Sequence, residues 1–461
     1  MRRRTSMKKI KIAYIGGGSR LWARNLMSDL ALCTDIEGIV SLYDIVREPA
    51  VNNSIIGNKM MELPEANHAF QFVVADTLEE SLQDADFVFI SILPGTFEEM
   101  KAYVHIPEKY GVYQPVGDTA GPAGIFRSLI MMPMYFDIAI AIEFNCPNAW
   151  VINFTNPMTM CVEMLYHVFP KIKAFGNCHE VFGTQRILAR ALKEETGIDV
   201  SHTEIEVNVQ GINHFTWINY ATYKNIDLMP IYEKFALKYK DKGWFTEEEL
   251  RKGAPWGGSD MVKFDLFFKY NTIAAAGDRH LVEFLPKEWY VESPLMIQHW
   301  KYFLTPVDFR IEIMEKGDRS AKEIAYGSKP VEIHASGEEG VEQVKALLGF
   351  DKFITNVNMP NMGQIPNLPL GRVVETNAYF RKDSVQPVFS GEMKEELVDL
   401  TLKHMEIHEL LMEAFDEKDL NYAMDALMND PLTESLSPSV KRKMFREIVD
   451  AIRPYLSCYL E

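Results

Sequence analysis

The sequence predicts an α/β protein built on a doubly wound parallel sheet, and three observations support this fold class. Short apolar runs alternate with helix-like segments over the first 200 residues. A glycine turn follows the first apolar run, and clusters of polar residues follow several of the later ones. This alternation is typical of βαβ units, whose ligands bind at the carboxyl ends of the strands.

Six apolar runs are predicted to be buried parallel strands with helical segments between most of them. They comprise residues 9–15, 39–43, 70–74, 87–92, 150–154 and 174–177. After about residue 200 the pattern changes. Residues 205–211 and 215–224 are predicted to pair, residues 353–358 and 372–380 to form another sheet, and the stretch from Glu392 onward to be helical. We therefore predict a domain of residues 7–200 and an α+β domain of residues 201–461, with the active site in the cleft between them.

Composition limits the classes of partner. The net charge is −17, whereas nucleic-acid binding requires a surplus of Lys and Arg. A membrane-spanning helix needs about 18 consecutive apolar residues, and we expect none here. The five cysteines are odd in number and scattered, which favours the reducing cytoplasm over a disulfide framework. We expect residues 1–7 to form a loose tail.

The first strand leads into the turn Gly16-Gly17-Gly18-Ser19, and residues 21–32 have the spacing of an amphipathic helix. A glycine turn that opens a helix can present free backbone N–H groups and the positive helix end to a pyrophosphate. Leu21 occupies the third glycine position of the dinucleotide fingerprint, so a simple tight turn stays possible. Asp44 ends the second strand, where a carboxylate binds both ribose hydroxyls of NAD.

The same carboxylate would repel a 2′-phosphate, so NAD is preferred over NADP, although Arg47 lies close by. Leu93 follows the fourth strand and is predicted to line the nicotinamide ribose. An Asn-Pro step favours extended backbone at Asn156, which would leave the amides of Asn153 and Asn156 free to bind a ligand rich in hydroxyl groups.

Cys178 and His214 lie in two further clusters at strand ends and could form half of a metal site. A thiolate and an imidazole indicate zinc first by ligand softness. A buried Cys and a hydrogen-bonded core His remain the structural alternative.

The combination of motifs closely resembles glycoside hydrolase family 4 over nearly the whole chain. The motifs are, in order, Gly16-Gly17-Gly18-Ser19, residues 153–157, Cys178-His179-Glu180-Val181 and residues 211–214. Residues 116–121, 180–185, 275–286 and 355–361 look most like the α-galacturonidase members. The Cys-His-Glu-Val tetrad differs from the phospho-β-glucosidase branch, where Asn-Val-Pro follows the Cys, and from the phospho-α-glucosidase branch, where Asp-Met-Pro does.

The resemblance implies NAD and Mn²⁺ as cofactors and a second domain like that of lactate and malate dehydrogenases. It implies that NAD⁺ takes hydride from C3 of the sugar, a base takes the C2 proton, and the glycosidic oxygen leaves by elimination. Water then adds and the hydride returns, so NAD is regenerated in each turnover. This class departs from the two-carboxylate scheme of other glycosidases.

When the functional residues of the family are transferred to matching positions of this sequence, Cys178 and His214 are the expected Mn²⁺ ligands. His179 matches the position of the leaving-group acid. Asp278 matches the base of the α-glucosidase-like members, and Tyr270 is the alternative because other branches use Tyr.

Sugar hydroxyls are expected to bind Asp118 and Asn156, while Asn153 could instead touch the cofactor. A galacturonide carries a carboxylate at C6, which needs a cation nearby. The candidates are Arg127, Arg279, His280 and Lys101, with Arg127 and Arg279 preferred.

Other readings stay open at this point. An α-glucoside or an α-glucuronide could replace the galacturonide as substrate. A plain NAD-dependent hydroxy-acid dehydrogenase or a non-catalytic NAD sensor would share the fold. The resemblance further implies a homodimer or homotetramer. A protein of charge −17 that binds a sugar acid must make its cleft locally positive, with its cofactors and a few arginines.

Overall fold

The computed structural model describes residues 7–460, so the tail predicted for residues 1–7 lies outside the described residues apart from Met7. Two sheets organise this part of the chain. Its strands are β1 Lys8–Ile15, β2 Ile36–Tyr43, β3 Phe70–Val74, β4 Phe87–Ile90, β5 Trp150–Asn153, β6 Lys173–Gly176, β7 Glu206–Ile212, β8 Phe215–Tyr223, β9 Ile226–Asp227, β10 Ile273–Ala274, β11 Phe353–Pro360, β12 Val373–Arg381 and β13 Ser384–Pro387.

Helices separate most of the strands and form the C-terminal region, as the sequence predicts. They are α1 Trp22–Leu32, α2 Arg47–Met61, α3 Leu78–Leu82, α4 Phe97–His105, α5 Gly121–Asn145, α6 Met158–Val168, α7 Glu180–Thr196, α8 Met229–Tyr239, α9 Glu247–Gly253, α10 Met261–Tyr270, α11 Asp278–Leu281, α12 Lys287–Tyr290, α13 Pro294–His299, α14 Val307–Ala325, α15 Gly340–Leu348, α16 Glu395–Glu417, α17 Leu420–Asn429 and α18 Pro438–Ile452.

The six predicted strands of the first half form one parallel sheet in the order β3-β2-β1-β4-β5-β6. This is the strand order of a doubly wound dinucleotide-binding fold, so the predicted fold class is confirmed. The order reverses between β1 and β4, and ligands of such sheets bind in the crevice at that point.

Strands β11, β12 and β13 extend this same sheet in antiparallel fashion, giving nine strands in total. The prediction that residues 353–358 and 372–380 build another sheet is therefore wrong. Strand β11 joins the edge through the pairing of Asn358 with Gly176 on β6. The sequence pattern of a strand predicts its local conformation but not which sheet edge it pairs with. The smaller sheet contains the predicted β7–β8 pair together with β9 and β10. The boundary near residue 200 stays a prediction, because strands from both sides of it share one sheet.

Each face of the large sheet is covered by helices, which is why its central strands are apolar on both faces. One face packs against α5, α6 and the C-terminal helices, where the ring of buried Phe126 of α5 packs at a tilt against Phe445 of α18, with centroids 5.1 Å apart. The opposite face packs against α1, α2, α14 and α15. Helix α5 is long and apolar enough to cross a membrane, but 72% of its apolar window is buried inside the protein.

Helix α14 is also tied to the segment that follows the glycine turn. The guanidinium of Arg20 donates two hydrogen bonds to the carboxylate of Asp318, at 2.6 and 2.8 Å. Such a two-pronged contact fixes both position and orientation.

Helix α16 buries two histidines, His404 and His408, against the start of α5. The Nε2 atom of His404 lies 2.8 Å from the carbonyl oxygen of Phe284, whereas Nδ1 of His408 has no partner among the described residues. Burial lowers the pKa of each imidazole to about 3. Both side chains are therefore neutral in the folded protein at ordinary pH.

We expect His408→Leu to make the protein more resistant to acid. Between about pH 6.5 and pH 3 the unfolded chain binds a proton at His408 that the folded protein does not, so acidification favours unfolding by about 1.4 kcal/mol per pH unit. The variant lacks this penalty, so its unfolding free energy should rise relative to the native protein as the pH falls. Urea unfolding at several pH values measures the difference. The exposed His299→Leu is the control, and a difference that does not depend on pH at His408 would contradict the prediction.

Candidate active site

Four segments converge beside the parallel sheet and carry most of the polar residues that the sequence singles out. Cys178 and His179 lie between β6 and α7, and His214 lies in the tight turn between β7 and β8, where Ile212 pairs with Phe215. Asp118 precedes α5, and His280 lies in α11. His214 has a φ of 63°, a left-handed conformation that costs a residue with a side chain about 1–3 kcal/mol.

Asp118, His214 and His280 form a cluster of potential metal ligands. One ligand atom from each lies within 4.8 Å of the others, and the two imidazole rings have centroids 3.9 Å apart. The Oγ1 atom of Thr119 lies 2.6 Å from Oδ1 of Asp118 and 2.9 Å from Nδ1 of His214. Because a hydroxyl has one hydrogen, it donates to the carboxylate and accepts from Nδ1–H of His214. The Nε2 lone pair of His214 is then available to a metal.

The three side chains of this cluster differ in their protonation states. Burial lowers the pKa of His214 to about 3, so this imidazole is neutral. Burial alone would raise the pKa of Asp118, but His214, His280 and Arg127 together lower it to about 2. Burial would lower the pKa of His280, yet Glu180 raises it, since its Oε2 lies 3.3 Å from Nδ1. A carboxylate and a neutral imidazole are thus ready to bind a cation without losing a proton.

Behind Cys178 lies a buried carboxylate that the sequence does not single out, Glu375 on β12. It accepts hydrogen bonds from the carboxamides of Asn356 (2.6 Å), Asn358 (3.0 Å) and Asn213 (3.1 Å). Asn356 also donates to the carbonyl oxygen of Cys178, at 3.1 Å. Asn213 directly precedes His214. Glu375 therefore ties the backbone at Cys178 to the turn that carries His214.

The two candidates for the base lie at opposite ends of α10. The buried carboxylate of Asp278 accepts backbone N–H groups of Val262 and Lys263 at the start of that helix. Burial and then Asp260 raise its pKa to about 7, the range expected of a proton acceptor that works near neutral pH. Tyr270 ends the same helix and packs edge-on against Trp217. A helix of this length spans about 15 Å, so the two cannot serve one site equally.

His179 is half exposed and lies toward α1. Its ring packs on Trp22 with centroids 5.4 Å apart, and its Nδ1 lies 3.7 Å from Oε1 of Glu338. Trp22 is the first residue of α1, the helix that follows the glycine turn. His179 thus stands between the ligand cluster and the predicted cofactor site.

The glycine turn differs from the expectation in one respect. The N–H groups of Gly16 and Gly17 donate to the carbonyl of Tyr43, that of Gly18 donates to Asp44, and that of Ser19 donates to Gly16. The prediction of free N–H groups on these residues is therefore wrong. Within residues 7–460 no side chain caps α1, so the free donors are those of its first turn, which begins at Trp22.

Close packing explains why the turn needs glycine. A Cβ at Gly16 would lie 2.1 Å from the carbonyl oxygen of Ser91, and its φ is +86°. The turn therefore lies directly against the segment after β4 that contains Leu93, at the switch point of the sheet. Arg47 pairs with Asp76 on the surface, so it is not a free cation beside Asp44.

The two asparagines of the Asn-Pro segment behave differently. Asn153 is fully buried; its Oδ1 accepts from Tyr135 (2.5 Å) and Thr155 (3.2 Å), and its Nδ2 donates to the Thr155 carbonyl. The prediction of a free amide is wrong for Asn153. Oδ1 of Asn156, by contrast, is buried without a partner among residues 7–460.

The predicted substrate arginines also differ from each other. Arg279 donates to the carbonyls of Phe303, Trp256 and Pro115 and to Thr305, so most of its donors are already used within the protein. Its role as a substrate ligand stays a prediction that these bonds do not favour.

Arg127 donates to the Asn156 carbonyl at 2.9 Å and to the Tyr103 hydroxyl at 3.3 Å. A third guanidinium, Arg310 of α14, donates to the Val116 carbonyl at 2.7 Å.

Sequence reasoning missed Glu180, Glu375 and Arg310. The Cys-His-Glu-Val motif contains Glu180 but does not indicate its contact: its carboxylate accepts the Gly277 N–H at 2.9 Å and so joins α7 to α11. Glu375 is a charged residue inside a predicted strand, a signal that could have been used. Arg310 lies in a helix with many charges, where one inward-facing arginine does not stand out.

Comparison with known proteins gives a consistent result. A family model described as Family 4 glycosyl hydrolase matches residues 11–194, and the model of its C-terminal domain matches residues 209–433. The α-galacturonidase of Thermoanaerobacter italicus is 51% identical over 447 residues, which cover 97% of each chain. The α-galacturonidase of Bacillus subtilis is 44% identical over 449 residues, covering 97% of this chain and 98% of that protein.

Solved structures share the fold. A crystal structure from Bacillus subtilis, described as a candidate glucosidase, has a TM-score of 0.91 at 44% identity and covers 96% of this chain and 100% of that one. A 6-phospho-α-glucosidase from gut microorganisms, in complex with NAD and Mn²⁺, has a TM-score of 0.81 at 18% identity over 97% and 99% of the two chains. Lactate dehydrogenase from Eimeria maxima has a TM-score of 0.50 at 14% identity, over 89% of this chain and 98% of that one.

Proposed function

The chain belongs to glycosyl hydrolase family 4 and is a glycosidase, and from this premise we propose that it is an NAD- and Mn²⁺-dependent α-galacturonidase. The observation that carries the proposal is the 51% identity, over 97% of both chains, with a protein named α-galacturonidase. The arginines beside the ligand cluster support a substrate that carries a negative charge.

The donor set fits a divalent metal. Asp118 supplies a carboxylate oxygen and His214 a neutral imidazole nitrogen, and both are within 4.8 Å of a ligand atom of His280. Carboxylate and imidazole suit Mn²⁺ better than the Cys178–His214 pair alone, which favours zinc. We propose that His214 and Cys178 hold the metal, as the family resemblance implies, with Asp118 beside His214; Cys178 itself is not one of the three residues whose ligand atoms lie within 4.8 Å of one another. When bound, the metal would withdraw electron density from the sugar oxygens at C2 and C3.

The glycine turn and Asp44 fit NAD. The uncapped first turn of α1 can bind a pyrophosphate, and Asp44 has further lone pairs for ribose hydroxyls. Leu93 and Asn153 stay proposed as neighbours of the cofactor. When bound, NAD⁺ would accept hydride from C3 of the sugar and return it at the end of the cycle.

Side chains of the protein would carry out the proton transfers and bind the sugar. We propose that Asp278 takes the C2 proton and that His179 protonates the departing glycosidic oxygen, as the family resemblance implies. The Asn156 carboxamide has a free Oδ1 for a sugar hydroxyl, and Asp118 can accept another. Arg127 holds the Asn156 backbone and so positions this contact.

The test is turnover of p-nitrophenyl α-galacturonide, with the α-galactoside, α-glucoside and α-glucuronide measured in parallel. We expect the galacturonide to be preferred, activity to require both NAD⁺ and Mn²⁺, and absorbance at 340 nm to show no net NADH. In D₂O the released sugar should carry deuterium at C2. Turnover without NAD⁺, or a product without deuterium, would overturn the mechanism. Net NADH would instead indicate a dehydrogenase.

We expect Asp44→Ala to weaken NAD⁺ binding by about 10- to 100-fold. Hydrogen bonds to a charged group contribute about 1.5–3 kcal/mol, and 1.4 kcal/mol corresponds to a factor of about ten. Isothermal titration calorimetry measures the effect, with the exposed Glu48→Ala as the control. An unchanged dissociation constant would show that the ribose binds elsewhere.

A further inference from the structure

Three arginines with largely buried side chains lie around the loop that carries Asp118, and none of them forms an ion pair with another described residue. Within residues 7–460, the ion pairs that use arginine involve Arg20, Arg47, Arg190, Arg251, Arg372 and Arg453. Arg127, Arg279 and Arg310 are absent from that set. Burial lowers the pKa of Arg310, Asp118 then raises it, and Arg127 lowers it, so Arg310 is attracted by the Asp118 carboxylate and repelled by a second cation. A cluster of this kind is stabilised when an anion binds.

Their free donors distinguish the three arginines. Arg279 donates to four oxygen atoms of the protein, and Arg127 uses Nε and one terminal nitrogen. In Arg310 only Nη2 has a partner, the Val116 carbonyl, and Nε is buried with none among the described residues. A buried guanidinium N–H without a partner is costly, and such groups persist mainly where a ligand completes them.

A guanidinium can bind both oxygens of a carboxylate at once through Nε and one hydrogen of Nη2. In Arg310 the protein uses one hydrogen of Nη2, and the buried Nε has no partner among the described residues. Arg310 is also held rigidly. The Val116 carbonyl fixes one end, and the ring of Trp256 lies 5.0 Å from the guanidinium carbon.

Arg310 lies next to the loop that carries Asp118, a residue of the proposed active site. Val116, which accepts from Arg310, precedes Asp118 by two residues on the same loop. The loop amides of Val116 and Gly117 donate to Glu283, at 2.6 and 2.9 Å, so the loop is held from both sides. Trp256 is 45% exposed, which leaves part of its surface open beside the arginine.

Resting on the proposed function, we propose that Arg310 binds the C6 carboxylate of the substrate and sets the preference for a uronide over a neutral sugar. The other cations that the sequence offers are less suited. Lys101 forms an exposed ion pair with Asp308, and His280 is paired with Glu180. Arg127 uses Nε and Nη1 to hold the Asn156 carbonyl and the Tyr103 hydroxyl, so a positioning role fits it better.

The test compares two substrates that differ only at C6, p-nitrophenyl α-galacturonide and α-galactoside. We expect Arg310→Gln to lower kcat/KM for the galacturonide by about 100-fold or more while changing that for the galactoside by less than about threefold, because a site built for a charged group discriminates strongly. Arg310→Lys keeps the charge but not the two-pronged contact, so an intermediate loss confined to the galacturonide is expected. The control is Arg319→Gln, an exposed arginine on the same helix, which should change neither substrate.

Equal losses on both substrates in the Lys and Gln variants would mean a structural role and would overturn the proposal, as would an unchanged galacturonide rate. Calorimetry with free galacturonate, NAD⁺ and Mn²⁺ separates this result from failure of the proposed function. If the native protein cleaves no galacturonide, yet binds galacturonate at least tenfold more tightly than Arg310→Lys does, Arg310 still binds the carboxylate. Equal affinities of the two proteins for galacturonate would refute that role of Arg310, whichever substrate the enzyme hydrolyses.

Discussion

His214→Ala is expected to lower kcat/KM by about 1,000-fold or more, the largest catalytic effect that we predict for a single substitution. A metal acting as a Lewis acid contributes several kcal/mol, and each 1.36 kcal/mol is a factor of about ten in rate. His214 is suited to hold that metal, because its Nδ1–H is bonded to Thr119 and its Nε2 is unprotonated. Its pKa of about 3 means that protons do not compete with the metal above about pH 4.

Two measurements separate loss of the metal from loss of the fold. Calorimetry with Mn²⁺ should show weakened binding in His214→Ala, while the midpoint of urea unfolding without metal stays near that of the native protein. Thr119→Val removes only the group that orients the imidazole, and a loss of about 10- to 100-fold is expected. Unchanged Mn²⁺ affinity in His214→Ala would refute the assigned role.

Glu375→Leu is expected to destabilise the fold by about 3–5 kcal/mol and to reduce activity as well. The carboxylate accepts three carboxamide N–H groups in the interior, and its removal leaves buried donors that each cost about 1–3 kcal/mol. Denaturant unfolding measures the first effect. The second follows because Asn213 and Asn356 hold the backbone at His214 and Cys178.

Glu375→Gln distinguishes packing from hydrogen bonding, since it keeps the shape but has one acceptor oxygen in place of two. We expect it to lie between the native protein and the Leu variant in stability. The exposed Glu392→Leu is the matched control and should stay within about 0.5 kcal/mol of the native protein. A Leu variant as stable as this control would show that the three asparagines find other partners.

The large sheet could be predicted because its strands leave a local signal. Alternating apolar runs, with a glycine turn after β1 and Asp44 after β2, correctly indicate six parallel strands and their helices. The strands after residue 353 could not be placed, since the pairing of Asn358 with Gly176 joins residues far apart in the chain. Local pattern carries no information on such contacts.

In the candidate site, too, some features follow from local sequence and others from long-range contacts. Residue types at strand ends indicate several polar clusters, and Asp118, His214 and His280 from three of them lie together, whereas the predicted metal ligand Cys178 is not part of this group. Which donors are free is decided by tertiary contacts instead. Asn153 and the glycine amides look available in sequence but are bonded in the fold, whereas Arg310 looks like a surface residue and is not.

Local positive charge in an acidic protein now has a structural basis. The net charge of −17 belongs mainly to the surface, while the arginines around Asp118 form no ion pairs within residues 7–460. Bulk charge governs solubility, and the interior arrangement governs what binds.

The ion pair between Arg20 and Asp318 connects α14 to the segment after the glycine turn, so the proposed sites for the cofactor and for the sugar acid share this helix. Asp318 lies eight residues, or about 12 Å, from Arg310 along this helix, and Arg20 directly follows Ser19 of the glycine turn. A cofactor at the glycine turn and a sugar acid at Arg310, as proposed, would therefore both act on this helix. If NAD⁺ changes the affinity for the sugar acid by some factor, thermodynamic linkage requires that the sugar acid change the affinity for NAD⁺ by the same factor.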